Sequence, residues 1–132
     1  MAQKYIIDDI VMYKNRIHTI IDISASNGYK LSYVRHQVSS ARLSGVPLTP
    51  EILEKNGYSR EDGAFGVSPD FKKIINDPAR KKGYITCLSV YPFFDNDGFS
   101  FFYNNQKLAI IHYVHELQHI LYGLKINSEM EV

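Results

Sequence analysis

The sequence contains no tryptophan, a single cysteine and almost no excess charge, and each of these scarcities restricts what the protein can be. Cys87 cannot form a disulfide within the chain, so a reducing cytosolic compartment is predicted. No segment approaches about 20 consecutive apolar residues, so a soluble protein without a membrane partner is expected. The formal net charge of +1 does not favour binding to bulk nucleic acid.

The chain has 132 residues, which predicts one compact domain built from two lobes, residues 1–45 and 46–132. Residues 5–44 contain several short stretches with the two-residue alternation of β-strands. Among them lies Ser26-Asn27-Gly28, a typical hairpin turn. Four or five short strands in so few residues indicate a small, strongly bent barrel of the SH3-like kind.

The second lobe is predicted to mix helices and strands. Thr49 and Pro50 suit the first positions of a short helix, and Gly57 suits its end. Two apolar runs flank Asp97-Gly98 and predict a β-hairpin. The pattern then becomes helical from about Lys107 to Leu124, and residues 125–132 alternate as a last strand would. The predicted class is α+β: a small SH3-like β-barrel, a short helix, a β-hairpin and a C-terminal helix-strand unit.

Two local patterns lead to no predicted site. The string DNDG, residues 95–98, is similar to part of a calcium-binding EF-hand loop, but Phe93 occupies a position that requires an oxygen ligand. Calcium binding is therefore rejected. The basic residues Lys72, Lys73 and 80–82 are interpreted as a solvated loop, with an anion site as the alternative.

The string His115-Glu116-Leu117-Gln118-His119 matches the H-E-x-x-H signature of zinc metalloproteases. A catalytic zinc ion needs a third protein ligand, and the extended pattern would place glycine and histidine where Tyr122 and Lys125 stand. We therefore predict that no metal or other cofactor is bound. The alternative is a zinc hydrolase in which His115 and His119 bind the metal and Glu116 acts as the base.

The helical spacing also predicts which way this motif faces. One stripe of the predicted helix is expected to face the core, and it comprises Ile110, Val114, Leu117, Leu121 and Leu124. His112, His115 and His119 lie on roughly the opposite side, which predicts that they face solvent, another lobe or a partner. A partner-binding face formed by three residues follows from this orientation: His115, Gln118 and Tyr122.

Two segments resemble a family of small uncharacterised proteins from gut-bacterial genomes and their phages. These segments are GVPLTPEILEKNGY, up to residue 58, and YVHELQHILYGL, residues 113–124. In the family pattern, Gln and Asn stand where this chain has Glu116 and His119, and neither is a usual zinc ligand. The resemblance implies a small barrel, a first helix, and a second helix followed by a strand. It also implies a phage or mobile-element origin, with the host bacterial cytoplasm as the location, and no established activity.

The leading hypothesis is a non-enzymatic binding protein that captures a small anionic ligand, such as a signalling nucleotide, and so counters a host defence. Aromatic rings can stack on bases and arginines can bind phosphates. The alternative is an adaptor that binds a host protein, and a homo-oligomer is expected in either case. The candidate ligand-binding residues are Tyr33, Arg35, Arg42, Phe101 and Tyr103.

Overall fold

The computed structural model describes residues 5–24, 28–61, 70–76, 85–92 and 98–132. These residues form a small α+β protein with two antiparallel β-sheets and two α-helices, which confirms the class predicted from the sequence. Within these ranges, no helix has the length and apolar character needed to cross a membrane.

The first sheet has the strand order β4-β3-β2-β1-β5. Its strands are β1 (Ile10–Tyr13), β2 (Arg16–Ile23), β3 (Gly28–Leu31), β4 (Val38–Ser39) and β5 (Ser44–Gly45). Lys14 and Asn15 join β1 to β2 with positive φ angles of 49° and 62°, as a type I′ turn requires. Strands β2 and β3 pair antiparallel, in agreement with the predicted hairpin, although Ser26 and Asn27 lie outside the described residues.

Strand β1 contributes to two hydrophobic cores. Successive side chains of a strand point to opposite faces, and here both faces are covered. Val11 and Tyr13 belong to the core of the first sheet, whereas Ile10 and Met12 pack into the core of the second. The core of the first sheet comprises Tyr5, Val11, Tyr13, Ile20, Tyr29, Leu31, Val38 and Leu43.

Helix α1 (Pro50–Lys55) lies where the sequence predicted a short helix. The Thr49 side chain accepts a hydrogen bond from the backbone N–H of Ile52 at 3.2 Å and so caps the helix. Gly57 follows the helix with a φ of +91°, a conformation that glycine adopts without strain. Leu53 is fully buried and anchors α1 to the second core.

The second sheet has the order β10-β9-β8-β7-β6. Its strands are β6 (Ser59–Glu61), β7 (Asp70–Asn76), β8 (Ile85–Pro92), β9 (Phe99–Tyr103) and β10 (Gln106–Ile111). Strands β8 and β9 form the predicted antiparallel hairpin.

Residues 93–97 lie outside the described ranges, and so do residues 80–82 of the basic segment. Lys72 and Lys73 are on β7, where Lys72 forms an ion pair with Glu61 at 3.1 Å.

The predicted start of the C-terminal helix at Lys107 is wrong. Residues 106–111 form β10, which pairs with β9 through a hairpin turn at Asn104 and Asn105. Helix α2 begins only at Val114 and ends at Gly123. The apolar residues before His112 are compatible with either a strand or a helix. Their hydrogen bonds to β9 place them in a strand.

Helix α2 covers the inner face of the second sheet. Val114 and Leu117 are fully buried and Leu121 is 4% exposed, as the helical stripe predicted. Ile110, assigned to the same stripe, is instead 47% exposed because it lies on β10. The core between α2, α1 and the sheet includes Phe71, Leu88, Val90, Phe99, Phe101 and Ile111.

The last residues do not form the predicted strand. Residues 124–132 have no regular secondary structure, and the chain turns at Lys125, whose φ is +59°. The Asn56 side chain binds the backbone of Glu131 twice, donating to its carbonyl at 2.7 Å and accepting from its N–H at 2.8 Å. This amide supplies the hydrogen bonds that a neighbouring strand would have supplied.

Candidate functional site

Glu116, the presumed zinc base, caps the helix on which it stands. Its Oε1 accepts hydrogen bonds from the backbone N–H groups of His112 at 2.8 Å and Tyr113 at 3.0 Å. These groups lie at the start of α2, where a carboxylate is favoured by the helix dipole. His112 therefore precedes the helix and is exposed, so it does not share a helical face with the other two histidines.

Gln118 joins the helix to the first sheet. Its Oε1 accepts from the Ile10 N–H at 2.9 Å, and its Nε2 donates to the carbonyls of Asp8 at 3.0 Å and Ser128 at 3.3 Å. Gln118 is only 3% exposed. The prediction that Gln118 belongs to an exposed partner face is wrong, since its amide is already satisfied inside the chain.

His119 binds Asp9, a residue that sequence reasoning did not identify. The two side chains meet at 2.6 Å between Nε2 and Oδ2, and the Asp9 carboxylate also accepts from the Ile6 N–H at 2.9 Å. Asp9 is 1% exposed. Burial raises the pKa of the Asp9 carboxyl above its ordinary value of 3.8, and the hydrogen bonds from Ile6 and His119 offset part of that rise.

His115 is also buried, at 5% exposure, so it too is excluded from the predicted partner face. Its ring stacks on Tyr113 with centroids 5.7 Å apart and meets the edge of Tyr5 at 5.0 Å. Gly45 passes close to both rings. A Cβ atom there would lie 2.6 Å from the Tyr113 ring and 2.9 Å from His115 Cε1. Tyr122, at 68% exposure, is the only one of the three predicted face residues that is accessible.

Because of these contacts, few side-chain atoms of the HELQH motif remain available as metal ligands. Glu116 is committed to the helix cap, and one of the two ring nitrogens of His119, Nε2, is hydrogen-bonded to Asp9. Over the described ranges, no group of three or more His, Cys, Asp or Glu side chains is arranged to bind a metal ion. The residues of the motif do not fit a zinc site, and each of them has a structural role.

The candidate ligand-binding residues are divided among different parts of the fold. Phe101 is fully buried in the second core, so it cannot contact a ligand, and Tyr103 packs against the same core. Both were predicted to bind a ligand because aromatic rings can stack on bases, and the burial of Phe101 shows that this prediction is wrong for it. Tyr33 and Arg35 are exposed in the connection between β3 and β4, and Arg42 is exposed at the end of a short 3-10 helix, Ser40–Arg42, that precedes β5.

Arg42 lines a recess of about 340 Å³ on the first sheet, which we call the Arg42 recess. The recess is lined by Tyr13, His36, Gln37, Val38, Ser39 and Arg42. None of these side chains is acidic. The guanidinium, the Gln37 amide and the Ser39 hydroxyl all offer hydrogen-bond donors, so the recess is suited to an anion.

Tyr33 and Arg35 line a second recess of about 430 Å³, which we call the Tyr33 recess. Lys30 adds a second cation, and the apolar side chains Ile21, Leu31 and Val34 complete the lining. Arg35 lines this recess and His36 lines the other. The sequence analysis did not identify His36 and Lys30 as lining residues of these recesses, because their positions depend on the curvature of the sheet.

Comparisons of the chain with protein-family models, with curated proteins and with solved structures found no match. The candidate site therefore rests on its own geometry.

Replacing Gln118 with Leu tests its role as a connector between the helix and the first sheet. The substitution leaves the Ile10 N–H and the Asp8 carbonyl without their partner, at a cost of about 1–3 kcal/mol for each unpaired group. Denaturant unfolding should show this loss, and hydrogen exchange should speed up at Ile10. Gln106→Leu, at an exposed position on β10, is the matched control. Equal stability of the two variants would contradict the role.

Gly45→Ala tests the close approach of the first sheet to α2. The added methyl group would overlap the Tyr113 and His115 rings. We expect a loss of about 1–3 kcal/mol in the free energy of unfolding. Gly123→Ala is the control, because a Cβ there meets nothing within 4 Å. If Gly45→Ala is as stable as the unaltered protein, the contact is not tight.

Asp9→Asn tests the burial of the carboxylate. An aspartate in the unfolded chain ionises near pH 3.8, and burial raises the pKa of Asp9 in the folded chain above that value. Between the two pKa values the folded state binds more protons, so the stability contributed by Asp9 is lost as pH rises through this window. Asn cannot titrate. The free energy of unfolding of Asp9→Asn minus that of the unaltered protein should therefore increase from pH 3.8 upwards and then level off.

Denaturant curves at closely spaced pH values measure this difference, and the exposed Asp22→Asn controls for the loss of one charge. A difference that stays constant with pH for Asp9→Asn would show that the folded pKa is not raised.

Proposed function

We propose that this protein captures a small anionic ligand on its first sheet and does not transform it. The observation that carries the proposal is the Arg42 recess, which is lined by residues with hydrogen-bond donors and by no acidic side chain. Arginine binds phosphate and carboxylate groups through two parallel hydrogen bonds, which are strong because both partners are charged.

The charge of the surrounding chain supports this assignment. Between Ile10 and Gly45 the sequence has five Lys or Arg residues and one Asp, so this stretch carries a formal charge of +4 (five minus one), against +1 for the whole chain. Lys14 places its ammonium group 5.4 Å from the centroid of the Tyr13 ring, which lines the recess. A local positive potential attracts an anion even when the protein as a whole is nearly neutral.

The remaining parts of the proposal are expectations from the sequence and do not follow from contacts in the structure. The SH3-like character of the barrel, the phage or mobile-element origin and the cytoplasmic location are expectations from the strand pattern, the resemblance and the single cysteine. Sequestration of a host signalling molecule would require a stoichiometric complex from which the ligand is recovered unmodified. A homo-oligomer is part of the same proposal and is measured by light scattering during gel filtration.

Arg42→Ala tests the recess directly. Loss of a charge-assisted hydrogen bond should weaken the binding of inorganic phosphate or of nucleotides by about tenfold or more, as measured by calorimetry at low salt. Arg60→Ala removes the same side chain from β6 in the other sheet and should bind as the unaltered protein does. Binding should also weaken as the salt concentration rises.

Two results would contradict the proposal. One is the absence of heat with phosphate and with a panel of mononucleotides, cyclic nucleotides and dinucleotides. The other is equal affinity of Arg42→Ala and Arg60→Ala. Chemical change of a bound ligand after incubation would contradict the non-enzymatic part alone.

A further inference from the structure

His36 and Arg42 line the same recess, but only one of the two is positive at every pH. His36 lies in the connection between β3 and β4, Arg42 ends the 3-10 helix, and both residues are exposed. Arginine stays charged, whereas histidine ordinarily changes charge between about pH 5 and 8. A protonated imidazole and a guanidinium are both strong donors to an oxyanion.

The His36 ring contacts the hydroxyl group of Tyr13. Tyr13 Oη and His36 Nε2 are 3.4 Å apart, and the two ring centroids are 6.4 Å apart. Tyr13 also lines the Arg42 recess, and only 5% of the residue is exposed. A phenol hydroxyl has a single proton, so it donates to one acceptor at a time. The protonation state of His36 therefore decides where the Tyr13 hydroxyl directs that proton.

Protonation of His36 changes the hydrogen-bonding capacity of both side chains. In a neutral imidazole one ring nitrogen is an acceptor, and it can receive the proton of a neighbouring hydroxyl. In the protonated ring both nitrogens carry hydrogen, so His36 Nε2 can only donate to Tyr13 Oη. The Tyr13 hydroxyl must then direct its own proton to another acceptor, and an anion bound in the recess offers one. Protonation thus adds one positive charge and releases one donor.

The other charged and titratable groups around His36 come from several elements: Tyr13 on β1, Lys14 in the β1–β2 turn, His18 on β2, the chain neighbour Arg35, and Arg42. The Lys14 ammonium group lies 5.4 Å from the centroid of the Tyr13 ring, and the His18 ring centroid lies 6.0 Å from it. No acidic side chain lines the recess. Positive neighbours disfavour a further positive charge, whereas a bound anion favours it. Binding of an anion is therefore expected to draw a proton onto His36.

We infer that His36 is the second anion-binding cation of the Arg42 recess and that its protonation turns the Tyr13 hydroxyl towards the ligand. This inference rests on the proposed function and adds the condition under which the site binds. The ligand class is an oxyanion group with two negative charges, such as a phosphate monoester or sulfate. Affinity for this group increases as pH falls, and binding takes up a proton.

Sulfate is the probe, because it keeps both negative charges over the range in which histidine titrates, whereas phosphate does not. Calorimetry on the full chain at low, constant salt compares about pH 8 with about pH 5.5. Sulfate should bind about tenfold more tightly at the lower pH, as one added charge-assisted hydrogen bond predicts. Titrations at an intermediate pH, in buffers with different enthalpies of ionisation, should show that binding takes up a fraction of a proton.

Three variants assign the effect to its residues. His36→Gln stays polar but cannot be protonated, so it should lose the pH dependence and the proton uptake. Its melting temperature should be unchanged, because His36 is exposed. Tyr13→Phe removes only the hydroxyl and should lose part of the gain at low pH. Arg42→Ala should weaken sulfate binding at both pH values and keep the pH dependence.

Two other histidines provide matched controls. His18 contacts the Tyr13 ring without lining the recess, and His112 is exposed in front of α2. His18→Gln and His112→Gln should both retain the pH dependence of the unaltered chain. If His18→Gln abolishes it, the proton binds to His18 and the inference is overturned.

The remaining outcomes distinguish the inference from the proposed function. If sulfate binds equally at both pH values, or if His36→Gln keeps the proton uptake, the inference fails while weaker binding by Arg42→Ala still supports the anion site. A full gain at low pH in Tyr13→Phe would remove the hydroxyl from the inference. A lower melting temperature of His36→Gln, with weaker binding at both pH values, would assign His36 a structural role. If neither sulfate nor phosphate binds at either pH, the proposed function fails and the inference fails with it.

Discussion

The three hydrogen bonds of the Gln118 side chain hold the two halves of this structure together. The amide sits at the meeting point of α2, the start of β1 and the C-terminal segment, and it binds backbone groups of all of them. Ile10 must direct its side chain into the second core while the rest of β1 stays in the first sheet. That arrangement leaves backbone groups of residues 8–10 without a strand partner. A buried backbone group needs a hydrogen bond, and Gln118 supplies two of them.

The neighbouring residues of the HELQH segment strengthen the same junction. His119 binds the Asp9 carboxylate, which in turn holds the Ile6 N–H, and His115 fills the space between Tyr5, Tyr113 and Gly45. Glu116 caps the helix that carries them. The HELQH residues match a zinc signature, but their side chains connect α2 to the start of the first sheet.

The side chains of the HELQH segment make their contacts within the chain. Among the described candidate residues, the ligand-binding groups that remain exposed are Tyr33, Arg35 and Arg42, beside the strands of the first sheet. There the cations are exposed and acidic side chains line neither recess. The division between the two regions is physically reasonable. The second sheet and α2 build the larger core, and the curled first sheet exposes a surface whose polar groups are not needed to stabilise it.

The sequence by itself determined the local features of the protein. Thr49 and Gly57 mark the ends of α1, the β8–β9 hairpin follows from its turn and its aromatic runs, and the Val114, Leu117 and Leu121 stripe faces the core as helical spacing requires. Only the tertiary structure decided the rest. Residues 107–111 form a strand because they pair with β9. The C-terminal residues form no strand, and their backbone at Glu131 is hydrogen-bonded by the Asn56 side chain instead. His119 binds Asp9, which lies 110 residues earlier in the chain, and His115 packs against Tyr5 from the same distant segment. Helical spacing shows which residues share a face, but the partners that bury a second face come from distant segments that the spacing does not reveal.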